Sequence, residues 1–253
     1  THVLSIVAIP LAVGIHTVTA FLFAGLAGRE YWLTAIMAAR FLSSAFAAGP
    51  ALLIILCLVL RRSLAFNVPE RAIDSLAKTV CYAMIANVFF YLLEVFTAFY
   101  SNMPGHKAPI EYLFFGLDGH AQLTPLMWLA VALAAVGILL LLVPKWRRSH
   151  KTLVPALVAV FFACLIDKGL GLVLGGFVPN SFEQVVEYVP NPNELLVILG
   201  VYCIGALALT VLCKVAAGVR AENGDAATSE TAAVEDSAAR PDAADGAREE
   251  VPA

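Results

Sequence analysis

Six long apolar stretches dominate the chain, at about 3–27, 31–60, 73–100, 121–144, 153–177 and 194–219. A helix needs about 20 apolar residues to cross roughly 30 Å of hydrocarbon. Within hydrocarbon only helices and closed barrels satisfy their own backbone groups, and none of the six stretches has the ten-residue alternation of a barrel strand. The expected fold class is an all-α integral membrane protein, six transmembrane helices in a bundle. Composition agrees, with 60% of the 253 residues hydrophobic and 14% charged, where soluble domains carry about 25% charge. These values exclude a disordered chain, a nucleic-acid binder and a water-soluble α/β enzyme.

Charge is spread unevenly. Residues 1–220 carry a net charge of +4 and residues 221–253 a net charge of −7. Basic residues gather in the second-to-third connection (Arg61, Arg62, Arg71, Lys78), in the fourth-to-fifth (Lys145, Arg147, Arg148, Lys151), and after the sixth span (Lys214, Arg220). On the other side Arg29 and Lys107 stand against Glu30, Glu111, Asp118, Glu183, Glu187 and Glu194. Because basic connections face the cytoplasm, both termini are expected there, with the protein multi-pass in the cell's inner, cytoplasmic membrane. The Ala-, Asp- and Glu-rich segment 221–253 buries too little surface to fold alone and is expected to be a disordered cytoplasmic tail. Residues 1–220 are then a six-helix transmembrane domain. Its first span begins almost at Thr1 with no signal-peptide layout, as expected of the later part of a longer protein.

The five cysteines, Cys57, Cys81, Cys164, Cys203 and Cys213, all fall inside spans without a Cys-x-x-Cys pair. They are expected to pack, neither ligating an iron–sulfur cluster nor forming disulfides. Five ionisable residues lie well inside spans: His16, Arg40, Glu94, Asp167 and Lys168. A charge in hydrocarbon costs several kcal/mol unless paired or wetted, so each is a functional candidate. At about 1.5 Å per residue they lie roughly 9–18 Å from the outer end of their spans, all between that face and the midplane. One shared layer suggests one polar cavity. Arg40 can hold a carboxylate or a ligand oxygen through its fork of donors, His16 can exchange a proton near neutral pH, and Glu94 and Asp167 can relay protons outward. Neighbours in a helix point about 100° apart, so Asp167 and Lys168 are expected to take different partners. Depth alone offers Asp167 with Arg40 and Lys168 with Glu94.

A bland reading stands beside this one: two buried ion pairs and a hydrogen-bonded histidine that set helix register. Tyr82, Tyr91, Asn87 and the Ser43–Ser44 pair read as interhelical hydrogen-bonding residues. The small-residue run from Ala38 to Gly49 reads as close helix packing, with Pro50 bending the second span. Gly169, Gly171, Gly175 and Gly176 are expected to loosen the outer end of the fifth helix and free backbone groups to line a cavity. Only His16 is a deep histidine, so haem held by two axial histidines is not expected. No Gly-rich phosphate loop is present.

The stretch Ile9-Pro10-Leu11-Ala12-Val13-Gly14-Ile15-His16-Thr17-Val18-Thr19-Ala20-Phe21 resembles the NrfD/PsrC family, the membrane subunits of polysulfide reductase. It is especially similar to the DsrP branch of sulfite-reduction-associated complexes. Arg40-Phe41-Leu42-Ser43-Ser44-Ala45-Phe46 with Gly49-Pro50 extends the likeness. So do Asp167-Lys168-Gly169-Leu170-Gly171-Leu172-Val173, Gly176-Phe177-Val178-Pro179-Asn180-Ser181 and Val186-Glu187-Tyr188. The resemblance covers about 1–220. It implies a haem-free subunit of an anaerobic respiratory complex that exchanges electrons with menaquinone or another quinone, without an iron–sulfur cluster or other metal of its own. The implied partners are an iron–sulfur subunit on the extracytoplasmic face, cytochrome subunits of the same complex and the lipid membrane; nucleic acid is not among them. Larger members have about ten spans in two four-helix bundles, and this chain resembles their last six. His16 would then border the quinone pocket, while Arg40, Glu94, Asp167 and Lys168 would belong to the later bundle, in proton-transfer, structural or quinone-contact roles. The rival readings are a secondary transporter or ion-coupled carrier, where ion pairs beside a broken helix also occur, and a membrane anchor without a site.

Overall fold

A computed structural model describes residues 2–63, 68–180, 182–188 and 190–238. Among the described residues the elements are all helical, with one isolated bridge between Leu117 and His120. In chain order they are α1 (His2–Ala24), a 3₁₀ turn (Glu30–Trp32), α2 (Met37–Ser63), α3 (Glu70–Ser101), α4 (Pro104–Phe114), α5 (Thr124–Leu142), the short α6 (Pro144–Arg147), α7 (His150–Leu165) and α8 (Pro192–Ala238). Six helical stretches are long and apolar enough to cross a membrane: Ile6–Ala24, Met37–Arg62, Glu70–Ser101, Thr124–Leu142, His150–Phe177 and Pro192–Val219. They coincide with the six spans read from the sequence.

The chain divides into two compact units, residues 1–188 and 189–253. In the first, α2 packs against α1, α3 and α7, and α5 packs against α7. The contacts are made by small residues. Ala47 and Ala51 of α2, Ala77 of α3 and Ala156 of α7 are wholly buried, which lets the helix backbones approach where lipid supplies no hydrophobic drive for association. Gly137 of α5 shows how close: a Cβ there would lie 2.7 Å from Val160 Cγ2 and 3.4 Å from the Ala156 carbonyl oxygen of α7. Large apolar side chains such as Leu92, Phe96 and Leu139 instead point outward, as a lipid-facing surface requires.

The expected loosening of the fifth span is present. Regular α-geometry stops at Leu165, and the chain continues through a π-helical turn (Ile166–Leu172) and a 3₁₀ turn (Gly175–Phe177). At the opposite end of the bundle, the Arg147 side chain donates to Asp74 Oδ1 at 2.8 Å and to the Leu141 carbonyl at 2.9 Å. This ties the turn after α5 to the start of α3.

In the second unit α8 begins with a reciprocal cap. Asn191 Oδ1 accepts from the Asn193 N–H at 3.3 Å, and Glu194 Oε2 accepts from the Asn191 N–H at 2.8 Å, occupying donors that the first turn leaves unpaired. Helical backbone runs past Ala221 to Ala238, into the segment expected as a tail, because alanine is the strongest helix former. Residues 239–253 of that expected tail lie outside the described residues.

Gly137→Val should lower stability by about 1–3 kcal/mol through overpacking between α5 and α7. Thermal unfolding of the detergent-purified chain measures this, and an unchanged midpoint would contradict the close contact.

Candidate functional site

The first unit has two apolar cores. One, with Ala47, Ile54, Val80, Met84, Leu157 and Cys164, lies toward the basic connections. The other, with Trp32, Met37, Ala98, Leu113, Met127 and Leu172, lies toward the acidic ones. On each of three helices the residues between the cores are polar: Arg40, Ser43 and Ser44 on α2, Asn87, Tyr91 and Glu94 on α3, and Asp167 with Lys168 after α7. The layer inferred from depth is therefore a seam between two hydrophobic cores.

Arg40 is the centre of that seam and is wholly buried. Its Nη1 donates to Glu94 Oε2, and its Nη2 donates to Asp167 Oδ1 at 3.2 Å. The guanidinium also stacks 4.5 Å above the Tyr91 ring. Lys168 Nζ stands 3.3 Å from Asp167 Oδ2 and 5.4 Å from the centre of the Phe41 ring. Beside these, Ser43 Oγ donates to Asn87 Oδ1 at 3.4 Å, the interhelical bond expected of those polar residues. Glu94 Oε1, Arg40 Nε, the Lys168 ammonium and the Tyr91 hydroxyl are buried without a hydrogen-bond partner among the described residues. Buried polar groups are ordinarily paired, so these mark positions from which a proton or a polar ligand atom can be held.

Four of the five sequence candidates thus meet, and one pairing differs from expectation. Asp167 does bind Arg40, but Lys168 turns to Asp167 and not to Glu94, whose carboxylate is taken by Arg40. The π-helical turn departs from the α-geometry on which the expected divergence rested, and the long lysine stem folds back along Phe41. His16 is not brought into the cluster. It is half-buried on α1, and its Nδ1 donates to the Ala12 carbonyl at 2.9 Å. That bond holds the ring proton on Nδ1 and leaves Nε2 open to a partner beyond α1. Tyr82 points outward, away from any interhelical bond.

Sequence reasoning passed over the aromatic lid of this site. Tyr31 and Trp32 are buried just before α2. Burial pushes the Tyr31 phenol well above its usual range, against the opposing pull of Arg40. Trp32 Nε1 donates to the Leu172 carbonyl at 2.9 Å, filling an acceptor at the end of the π-helical turn. Gly176 makes room for that indole, since a Cβ there would come within 2.2 Å of Trp32 ring atoms. A Tyr-Trp pair beside a span ordinarily reads as an interfacial anchor, which hides such a role.

Next to the seam lies a cavity of about 740 Å³ between α3 and α5, closed at one side by α4 and α7. Its walls are almost wholly apolar, including Val95, Phe114, Met127, Trp128 and Ala134. The polar groups on it, Asn87, Tyr91 and Asp167, belong to the seam. Leu92, Val131 and Leu139 on its rim are exposed by 60%, 42% and 58%, so it opens sideways between the helices.

Arg40→Leu should destabilise the protein by about 3–5 kcal/mol, because it strands two buried carboxylates. Adding Glu94→Gln and Asp167→Asn should recover most of that loss in thermal unfolding. Equal stability of the single and triple variants would mean that the layer is wetted.

The 226 residues that match a Halobacterium salinarum protein, provisionally named as a membrane subunit of dimethyl sulfoxide reductase, are 27% identical to it. They make up 80% of this chain and 50% of the relative, so the chain spans about half that relative's length. The family model for the NrfD polysulphide reductases matches residues 1–177, a stretch that contains the α1 motif around His16, all four members of the charged seam and the π-helical turn. The chain belongs to the NrfD polysulphide reductase family.

Proposed function

We propose that this chain is part of the membrane subunit of a redox complex, exchanging electrons with a quinone and moving the accompanying protons through the Arg40–Glu94–Asp167–Lys168 seam. The observation that carries this reading is the seam itself: two carboxylates and two cations from three helices, gathered inside an otherwise apolar bundle. Buried ion pairs are weak contributors to stability, whereas ionisable residues at this depth are characteristic of proton and ligand paths. Family membership and the relative's name, that of a reductase membrane subunit, support a place in such a complex.

The chemistry follows from the groups present. Oxidation of a quinol releases two electrons and two protons. The electrons pass to an iron–sulfur protein on the extracytoplasmic face, and the reverse flow reduces a quinone. Arg40 keeps its proton throughout and holds Glu94 and Asp167 in place. Each carboxylate can accept a proton because the other carboxylate and Lys168 keep the site near neutral. His16 Nε2 is the corresponding acceptor on α1. The seam lies toward the end of the bundle with the acidic connections, and the basic connections at the other end suit the cytoplasmic side of an inner membrane. Release would therefore be outward.

The test is electron transfer from a menaquinol analogue through the complete complex in nanodiscs, with external pH followed by a dye. Asp167→Asn and Glu94→Gln should each slow transfer by roughly 10²-fold, the usual scale for loss of a proton-transfer group. His16→Ala should weaken transfer while leaving the thermal midpoint unchanged. A complex that turns over quinol at the native rate with all three residues replaced would remove the seam from the mechanism. A complex that binds no quinone and instead carries an ion against its gradient would favour the transporter reading.

A further inference from the structure

We propose that the cavity between α3 and α5 is the seat of the quinone, with the ring turned inward to Tyr91 and the isoprenoid body lying along the apolar walls. The proposal rests on the quinone reading above and adds to it a place, an entry route and a ring-binding residue.

Size and shape come first. A volume of about 740 Å³ falls within the range of sites that enclose most of a drug-sized ligand. The mouth opens between exposed Leu92, Val131 and Leu139, at the height of the lipid-facing helix surfaces. A molecule dissolved in the bilayer can slide in sideways without passing through water.

The polarity of the cavity then selects the occupant. Along its length the walls offer alkyl and aromatic groups, with Met127 and Trp128 on one side. At the seam the Tyr91 hydroxyl is buried and unpartnered, and Asn87 and Asp167 lie on the same wall. A lipid acyl chain would fill the volume and leave that hydroxyl unbonded. A hydrophilic ligand would have no partners along the rest of the cavity. A long apolar body ending in a ring with hydrogen-bonding oxygens satisfies both parts, and a quinone has that form. Tyr91 also ties the seat to the charges, because the Arg40 guanidinium lies on its ring at 4.5 Å. Asp167 borders the cavity and binds Arg40 at 3.2 Å. A ring oxygen bonded to Tyr91 is thus one residue away from the proton-holding seam.

The experiment uses the complete complex in nanodiscs and a photoreactive menaquinone analogue with a two-isoprene tail. Crosslinks should map to α3 and α5, and unlabelled menaquinone should compete them away. Tyr91→Phe keeps the ring and the fold but removes the hydroxyl, and should weaken binding about five- to tenfold, the scale of one hydrogen bond. Ala135→Trp, at an exposed position on the cavity wall, fills the mouth and should weaken binding by roughly tenfold or more. Native affinity in both variants, or crosslinks confined to other helices, overturns the seat and leaves the quinone reading standing. A phospholipid retained in the cavity that the analogue does not displace overturns the seat in the same way. No binding of the analogue to the wild-type complex overturns the quinone reading, and the seat falls with it.

Discussion

Arg40 is the interaction on which the bundle depends. Its guanidinium is wholly buried, so its desolvation must be offset by partners. Those partners come from two other helices: Glu94 from α3 and Asp167 from the turn after α7. A planar fork of donors suits this better than a point charge, since one donor serves each carboxylate while the flat face rests on Tyr91. Three helices are thereby held at one height, and the apolar cores on either side pack from that fixed level. The same contact that sets the register also gathers every charge the site needs.

The backbone of the fifth span adapts to that arrangement. A regular helix through Asp167 and Lys168 would separate their side chains, whereas the π-helical turn brings both to the seam. Such turns often occur at functional sites. Here Trp32 reaches across to bond the Leu172 carbonyl, and the glycines beyond let aromatic rings close over the end of the layer. The cavity beside the seam is a gap of the same kind, left where α3 and α5 diverge around Met127 and Tyr91.

Much of this was legible in the sequence because hydropathy and charge are one-dimensional signals. The six spans, the loosened fifth helix and the depth of Arg40, Glu94, Asp167 and Lys168 all follow from residue order. Depth, however, gives height along a helix and not direction around it. It therefore could not tell that Arg40 holds both carboxylates, nor that His16 bonds its own helix at Ala12. The partner of Lys168 was misread because i and i+1 were placed on ideal α-geometry. Tyr31 and Trp32 were missed because aromatic residues at a span edge have an ordinary interfacial explanation, and the cavity is a property of spaces between helices that no single segment encodes.

The composition of the seam has a further consequence. Two cations and two anions sum to zero, and one of the cations, Arg40, does not titrate. In surroundings of low dielectric any net charge carries a large self-energy. A proton entering the layer therefore raises its energy unless a negative charge arrives close by at nearly the same time, and a proton leaving has the mirror requirement. The seam behaves as an electroneutrality gate: it resists proton movement on its own and permits it when an electron moves on a neighbouring molecule. A balanced set of four side chains can in this way link proton flow to redox state without any large movement of the helices.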